Sequence, residues 1–207
     1  MIPLSKFFLR RHFSSSVSPE YRFVPAHRPV NRDDIEKLRQ FVARTQNLTV
    51  LTGAGISTES GIPDYRSKGT GLYARSRRRP IQYQQFIKSA EIRRRYWTRN
   101  FVAWPSFSSH LPNDTHFAIA ELQKRSIVNT VITMNVDGLH RKAGSAPLIE
   151  LHGSAFEVVC LKCGDMQDRH TFQEILNELN PSFANLHLDL NVVRPDGDID
   201  IPEVGSI

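Results

Sequence analysis

The chain contains little cysteine and no long apolar run, and each shortage excludes a class of protein. Only two of its 207 residues are cysteine, so a framework of disulfides cannot hold the fold together. No apolar stretch approaches the roughly 18 residues of a membrane-spanning helix, so we predict no membrane span. Apolar residues still make up 40% of the chain, which is enough to build the core of an ordinary domain.

Acidic residues are absent from positions 1–19, which carry Lys6, Arg10 and Arg11. A basic, serine-rich leader without acids is typical of a mitochondrial transit peptide, and a disordered tail is the alternative. We therefore assign residues 1–27 to a leader and predict a location in the mitochondrial matrix. The three basic residues account for half of the net charge of +6. The remaining chain is too nearly balanced to favour nucleic acid as a partner.

Apolar runs and helical patterns alternate through the middle of the chain. The runs at 48–52, 128–133 and 148–151 are typical of buried strands, whereas 31–44 and 115–125 repeat apolar residues with the period of a helix. This alternation predicts an α/β fold with a Rossmann-like parallel sheet. In such sheets a nucleotide lies at the carboxyl ends of the strands.

Proline and glycine predict where this pattern is interrupted. Residues 68–79 contain two glycines and are expected to form a loop, and Pro105 and Pro112 are expected to bracket another. Pro80 fits the start of a helical region that reaches about Arg99.

The character of the sequence changes at Ala155. A short strand and a cysteine turn are predicted there, followed by a helix near 171–179 and a loose tail from Asp196.

The most informative segment is a glycine turn that follows the first predicted strand. Gly53 and Gly55 are separated by one residue, which lets the backbone approach a pyrophosphate closely. A helix that starts after the turn would present unpaired N–H groups to anionic oxygens. The turn differs from the usual dinucleotide fingerprint because Thr58 occupies the position of the third glycine.

Three ordered segments resemble the signature of the sirtuins, the NAD-dependent protein deacylases. They are Gly53–Ser67, Thr133–His140 and Glu150–Ser154. The resemblance covers about residues 30 to 200, and Gly71–Arg75 and Arg79–Gln82 are most similar to the mitochondrial class II branch. It implies NAD and zinc as cofactors and acylated lysine side chains of proteins as substrates. Lipoyl- or biotinyl-lysine removal and ADP-ribosyl transfer are activities of this branch.

The resemblance also implies a chemistry in which NAD is consumed rather than reduced. The acyl oxygen attacks the nicotinamide ribose, nicotinamide leaves, and a neutral imidazole then acts as general base for a ribose hydroxyl. By resemblance that base is His152, which follows the third strand. Taken alone, a histidine after a strand is more often a satisfied surface or core residue.

The same resemblance implies a set of NAD-binding residues. Asn135 would hydrogen-bond a ribose and an ordered water, Asp137 would accept from the nicotinamide carboxamide, and Tyr65 would cover the reacting carbon. Two members have simpler alternatives, a turn residue for Asp64 and a surface charge for Arg66. The full set is Gly53, Ala54, Gly55, Ile56, Ser57, Asp64, Tyr65, Arg66, Tyr73, Met134, Asn135, Val136 and Asp137.

The sequence departs from the sirtuin pattern in two places. Met134 stands where the family usually has glutamine, and a thioether cannot supply the paired donor and acceptor of an amide. The chain also stops before a second cysteine pair and before the C-terminal strands of the family. Cys160 and Cys163 are therefore half of a four-cysteine zinc site, and the resemblance predicts a C-terminally truncated sirtuin with an incomplete sheet.

These expectations divide the chain into three regions and leave three functions open. The first function is an NAD-dependent protein-lysine deacylase, the second a truncated noncatalytic binding module, and the third a redox or metal-binding role for the cysteine pair. For the arginines at 75–79 and 93–99, a solvated helical face is the first interpretation. Contact with phosphate or with an acidic acyl-lysine substrate is the second. The regions are a leader at 1–27, a Rossmann-like NAD-binding region at 28–154 and a partial zinc module with a tail at 155–207.

Overall fold

The computed structural model describes residues 22–76, 79–184 and 194–198. The strands in these ranges are β1 (Leu48–Thr52), β2 (Val128–Thr133), β3 (Leu148–Glu150), β4 (Glu157–Val159) and β5 (Met166–Asp168). The α-helices are α1 (Arg32–Arg44), α2 (Leu72–Arg75), α3 (Tyr83–Lys88), α4 (Ala90–Ser109), α5 (Asp114–Lys124), α6 (Leu139–Lys142), α7 (Arg169–Leu179) and α8 (Pro181–Ala184). A 3-10 helix spans Ala54–Ser60.

A parallel sheet with the strand order β1-β2-β3 forms the centre of the fold. Val50 pairs with Val131 and Thr52 with Thr133, while Val131 also pairs with Leu148 on the far side. Helices connect the strands, as parallel pairing requires. The predicted α/β, Rossmann-like fold is therefore confirmed, and all three predicted strands are present within one residue of their expected bounds.

The two faces of this sheet differ in how well they are covered. On the face that carries Val131, the side chains of Thr52, Val131 and Thr133 are buried, and α5 packs against β2. On the opposite face, Leu51 pairs with Ile132, which pairs with Ile149 on the next strand. Leu51 is 64% exposed and Ile149 is 48% exposed. Helix α1 buries none of its residues, although the side chain of its Asn31 cap accepts a hydrogen bond from Asp34 N. Among the described residues, this second face lacks a covering layer.

Helix α4 contradicts the loop predicted between Pro105 and Pro112, because it continues through Pro105 to Ser109. Proline removes the N–H that would bond to the carbonyl four residues earlier. That carbonyl belongs to Phe101, and it accepts a hydrogen bond of 3.1 Å from Gln173 Nε2 of α7 instead. A partner from another helix thus replaces the missing bond, so the helix continues.

Other differences concern short elements. The segment 68–79, expected to be a loop, includes α2, and the cysteine turn joins β4 to β5 in an antiparallel hairpin. The tail from Asp196 was expected to be loose, yet residues 194–198 form a tight turn in which Arg194 N donates to Asp198 O at 2.8 Å. Most of the predicted leader and the end of the tail lie outside the described residues.

An aromatic cluster on α4 forms the core beside the sheet. Trp104 and Phe107 are nearly fully buried and pack with Ile62 and Leu139. Phe156, which is partly buried, packs against this cluster. This cluster fixes α4 against the segments that follow β1 and β2. Among the described residues, no helix is both long enough and apolar enough to span a membrane.

A pair of buried histidines links α5 to α6 under the sheet. The rings of His116 and His140 meet edge to face with their centroids 4.8 Å apart, and both side chains are almost fully buried. His116 Nδ1 lies 3.0 Å from Asn113 Oδ1, the oxygen that caps α5. Burial, together with the neighbouring His140, lowers the pKa of His116 from 6.5 to about 4, so the pair is neutral near pH 7.

The free energy of unfolding should therefore fall as the pH is lowered from 6.5 toward about 4. In this window the unfolded chain binds a proton at position 116 that the folded chain excludes, and the loss should reach about 3 kcal/mol. Denaturant unfolding at about pH 7 and about pH 4 measures it. His116→Gln should reduce the loss, whereas His27→Gln at an exposed position should not. Equal losses in both variants would contradict the assignment.

Candidate active site

The candidate site lies where the three parallel strands end. The glycine turn follows β1, the segment Met134–Asp137 follows β2, and His152 follows β3. Since the carboxyl ends of parallel strands meet at one edge of a sheet, three distant segments are brought together. The structure thus gathers most of the residues that the sequence singled out.

The helix predicted after the glycine turn is present as a 3-10 helix. Its residues include β-branched and hydroxyl side chains, which have modest helix propensity. Thr58 Oγ1 donates to Gly55 O at 2.9 Å, and Ile56 O accepts from Asn113 Nδ2 at 2.7 Å. These hydrogen bonds from side chains to backbone carbonyls favour the 3-10 helix over an α-helix. The 3-10 helix ends at Gly61, which has a φ of 88°.

Asn135 and Asp137 are joined to the glycine turn by buried hydrogen bonds. Asn135 Nδ2 donates to Gly53 O and to Ser57 Oγ, both at 3.2 Å. Ser57 Oγ in turn donates to Asp137 Oδ2 at 2.6 Å, and Leu139 N donates to Asp137 Oδ1 at 3.0 Å. Because each carboxylate oxygen can accept more than one bond, Asp137 retains acceptor capacity for a further donor.

The turn after Asp137 depends on a glycine. Gly138 has a φ of 67°, which a side chain rarely allows, and a Cβ there would lie 2.9 Å from the Phe156 ring. The aromatic core thus approaches this loop so closely that only glycine fits.

His152 is exposed and its ring is oriented by the backbone of the neighbouring strand. Its Nδ1 lies 3.0 Å from the carbonyl oxygen of Met134. A carbonyl can only accept, so Nδ1 carries the proton and Nε2 keeps a free lone pair. This is the tautomer that a general base requires.

Met134 lies over the glycine turn. A Cβ at Gly53 would come within 3.2 Å of the Met134 methyl group, and the methionine is 43% exposed. The Met134 side chain therefore lies against the Gly53 backbone and remains partly open to solvent. The bare backbone at Gly53 is what makes room for it.

Asp64 shapes the loop that follows the 3-10 helix. Its Oδ1 accepts from Ser67 N at 2.9 Å and its Oδ2 accepts from the Ser67 hydroxyl. A Cβ at Gly71 would lie 2.8 Å from Asp64 Oδ1, so the loop closes tightly around a glycine. Asp64 therefore acts as a turn residue in this structure, and Arg66 is exposed.

Tyr65 and Tyr73 pack against each other beside this loop. Their ring centroids are 5.6 Å apart, and the Arg79 guanidinium lies 4.2 Å from the Tyr73 ring centre. Burial raises the pKa of Tyr65 above its ordinary value, and the nearby Asp196 carboxylate adds to this effect. Tyr65 is therefore a neutral hydroxyl near pH 7.

A cavity of ≈ 450 Å³ adjoins His152. Aromatic side chains of α4, the backbone around Val136 and the turn at 194–198 line it. The turn is held by a buried ion pair between Arg99 and Asp198, whose atoms are 2.6 Å apart. Arg194 is also buried and donates to Ser76 Oγ at 3.0 Å.

Arg169 places a buried cation in the wall of this cavity. Its guanidinium carbon lies 4.6 Å from the Trp104 ring centre, and Nη2 donates to Asn100 O at 3.3 Å. Burial lowers the pKa of Arg169 to about 10, so it is charged near pH 7.

Cys160 and Cys163 occupy the β4–β5 turn and are exposed and free. Cys160 O accepts from Gly164 N at 2.9 Å, which closes a tight knuckle. Backbone N–H groups of Cys163 and Lys162 lower the pKa of the Cys160 thiol and so favour the thiolate. Among the described residues, no cluster of three or more candidate metal ligands includes them.

Several residues of the site were not found from the sequence. They are Thr52, Thr133, His140, Arg169 and Asp198, which are all buried. The sequence offers weak signals for three of them, since Thr52 and Thr133 each end a predicted strand and Thr133 and His140 bound one of the sirtuin-like segments. Arg169 and Asp198 have none, because only folding brings them to α4.

The pattern that defines the Sir2 family matches residues 53–196 of the chain. The chain belongs to the Sir2 family, which confirms the resemblance to sirtuins.

Within the family, the chain is similar to sirtuin-4 proteins. It is 53% identical over 189 residues to the NAD-dependent protein deacylase Sirt4 of Drosophila melanogaster, covering 91% of the chain and 59% of that protein. It is 49% identical over 181 residues to the NAD-dependent protein lipoamidase sirtuin-4, mitochondrial, of Homo sapiens, covering 87% and 57%. The chain therefore spans less than two thirds of the length of these relatives.

Solved Sir2 structures share the fold. One described as the structural basis for the mechanism and regulation of Sir2 enzymes matches with a TM-score of 0.56 and 35% identity, over 72% of this chain and 57% of that one. A complex of a Sir2 homologue with NAD matches with a TM-score of 0.53 and 37% identity, over 70% and 55%.

Proposed function

We propose that the chain carries the catalytic centre of an NAD-dependent protein-lysine deacylase that releases nicotinamide. The observation that carries the proposal is the His152 imidazole, whose Nδ1 proton is held by the Met134 carbonyl while Nε2 is free beside the cavity. Membership of the Sir2 family and similarity to named deacylases support it. NAD supplies the ribose carbon to which the acyl oxygen adds and the nicotinamide that leaves.

The bonds around Asn135 and Asp137 fit a bound NAD. Asp137 is 5% exposed, and its remaining acceptor capacity suits the amide protons of a carboxamide. Leaving such a donor unpaired in a buried site would cost about 1–3 kcal/mol. Ser57 donates to the Asp137 carboxylate and Asn135 donates to the Gly53 carbonyl, so both groups are held in place. Ala54, Gly55, Tyr65 and Tyr73 would line the rest of the nucleotide path.

The cavity beside His152 suits an acylated lysine. Trp104 and Val136 supply apolar walls for the methylene chain, and His152 Nε2 is available to take a proton from a ribose hydroxyl. The protein substrate would thus enter from the side of α4, opposite the glycine turn. The lipoyl group is one candidate acyl group, since a human relative is named a lipoamidase.

We also propose that Cys160 and Cys163 bind zinc. Their knuckle and the thiolate-favouring N–H groups fit two ligands of a structural zinc site. A closed site needs four ligands, so another chain would supply the other two.

A mitochondrial location is proposed from the basic leader and from the name of the human relative. Phe23 limits where the leader can be removed. It is 4% exposed, and the Arg75 guanidinium lies 5.0 Å from its ring centre. Cleavage would therefore fall before Phe23, so we propose a leader shorter than the 1–27 assigned from the sequence. N-terminal sequencing of the mature protein from mitochondria tests this position.

His152→Ala should slow steady-state nicotinamide release from NAD in the presence of an acyl-lysine peptide at least about 100-fold, because without the general base the intermediate formed when nicotinamide leaves is not resolved. Nicotinamide is measured by chromatography on the full chain. His27→Ala, which replaces an exposed histidine away from the strand ends, is the control and should retain the rate of the unmodified chain. An active His152→Ala chain would contradict the assignment of the base.

Met134→Gln should tighten NAD binding roughly fivefold to tenfold, because an amide can pair with ribose hydroxyls and a thioether cannot. Calorimetry with NAD measures the dissociation constant. Met166→Gln is the matched control, since Met166 is exposed on β5 away from the turn. An unchanged constant in Met134→Gln would mean that the methionine is harmless.

Zinc should copurify with the full chain and be lost in Cys160→Ser. Elemental analysis measures the amount, and one ion per two chains would identify a site shared between chains. A chain without zinc after purification in zinc-containing buffer would refute the proposed metal site.

A further inference from the structure

A chain of buried hydrogen bonds runs beneath the candidate site from α6 to the segment after β2. His140 Nε2 lies 2.9 Å from Thr52 Oγ1, and Thr52 Oγ1 donates to Thr133 Oγ1 at 2.9 Å. Thr133 Oγ1 also accepts from the backbone N–H of Asn135 at 3.1 Å. His140 and Thr133 are each 2% exposed and Thr52 is 8% exposed, so water does not compete for these bonds.

The direction of these bonds fixes the tautomer of His140. A threonine hydroxyl has one proton, and that of Thr52 is donated to Thr133. With that direction, the proton between His140 and Thr52 belongs to Nε2, which leaves a buried acceptor at Nδ1 in place of an unpaired N–H donor. His140 Nδ1 is then an unprotonated, buried nitrogen without a hydrogen-bond partner among the described residues.

We propose that His140 is a positioning residue that fixes Asn135 through Thr52 and Thr133. The inference rests on the proposed function, because Asn135 belongs to the proposed NAD site. His140, Thr52 and Thr133 do not line the cavity that adjoins His152. The hydrogen bonds of their side chains reach the site through the backbone N–H of Asn135.

The effect extends beyond Asn135 because its side chain joins two segments. Asn135 Nδ2 donates to Gly53 O after β1 and to Ser57 Oγ in the 3-10 helix. Ser57 holds Asp137. Loss of the hydrogen bonds from His140 to Asn135 would therefore loosen the Gly53 carbonyl and the Asp137 carboxylate.

Packing holds the His140 ring in place. The His116 ring meets it at 4.8 Å, and His116 is itself held by Asn113 at the start of α5. The ionisable groups that face His140 are His116 and Asp137. Burial lowers the pKa of His140, although Asp137 opposes this effect, so the ring is neutral and offers a single proton.

The first test uses the full chain without NAD. Nitrogen-15 NMR of the histidine rings should show the His140 proton on Nε2 in the unmodified chain. Thr52→Val keeps the shape of the side chain but removes the hydroxyl, so it should shift the His140 Nε2 resonance and speed amide exchange of Asn135 about tenfold. A proton on Nδ1, or an unchanged Asn135 exchange rate, would overturn the inference.

Rescue and control variants separate positioning from a general loss of stability. Thr52→Ser retains the hydroxyl and should restore both NMR readouts. Thr49→Val makes the same exchange on the exposed side of β1 and should change neither. If Thr49→Val reproduced the effects of Thr52→Val, the relay would be refuted in favour of a nonspecific effect.

The second test measures nicotinamide release. Thr52→Val should raise the KM for NAD or lower kcat about tenfold at a temperature where all variants are folded, and Thr52→Ser should recover most of the loss. An unmodified chain that releases no nicotinamide would refute the proposed function, while the NMR results would still decide the bond chain. Equal kinetics in Thr52→Val and the unmodified chain would overturn the positioning role.

Discussion

The site depends on the parallel pairing of β1 with β2 in one register. Thr52 lies opposite Thr133, so the glycine turn and the segment with Asn135 leave the sheet side by side. A slip of one residue would move both threonine side chains to the opposite face of the sheet. The bonds from His140 to Thr52 and from Asn135 to the glycine turn would then be lost together.

Buried polar groups make this arrangement specific. Ser57, Asn135 and Asp137 are all at least nine-tenths buried and bonded to one another or to the backbone. In a dry setting each unpaired group is costly, so alternative arrangements of these loops are disfavoured. His152 differs, because it is exposed and held by a single bond, which leaves Nε2 accessible for proton transfer.

Sequence patterns predicted the sheet well and the turns poorly. The strands were found because β-branched and apolar residues dominate these short runs. The course of α4 through Pro105 was missed, because the compensating bond from Gln173 comes from a helix far along the chain. The helix after the glycine turn was predicted, whereas its 3-10 form was not, because contacts such as that of Ser57 with Asp137 join residues 80 positions apart. Among the site residues, Asp64 fits the alternative of a turn residue.

The sequence by itself determined the family, the α/β fold and the order of the segments that meet at the strand ends, because motif spacing and apolar periodicity are local properties. Tertiary structure alone decided the tautomer of His152, the burial of Arg169 in the cavity wall and the bond chain from His140 to Asn135. These depend on distances between segments that are far apart in the chain, and such distances exist only after the strands have paired and α4 has packed against them.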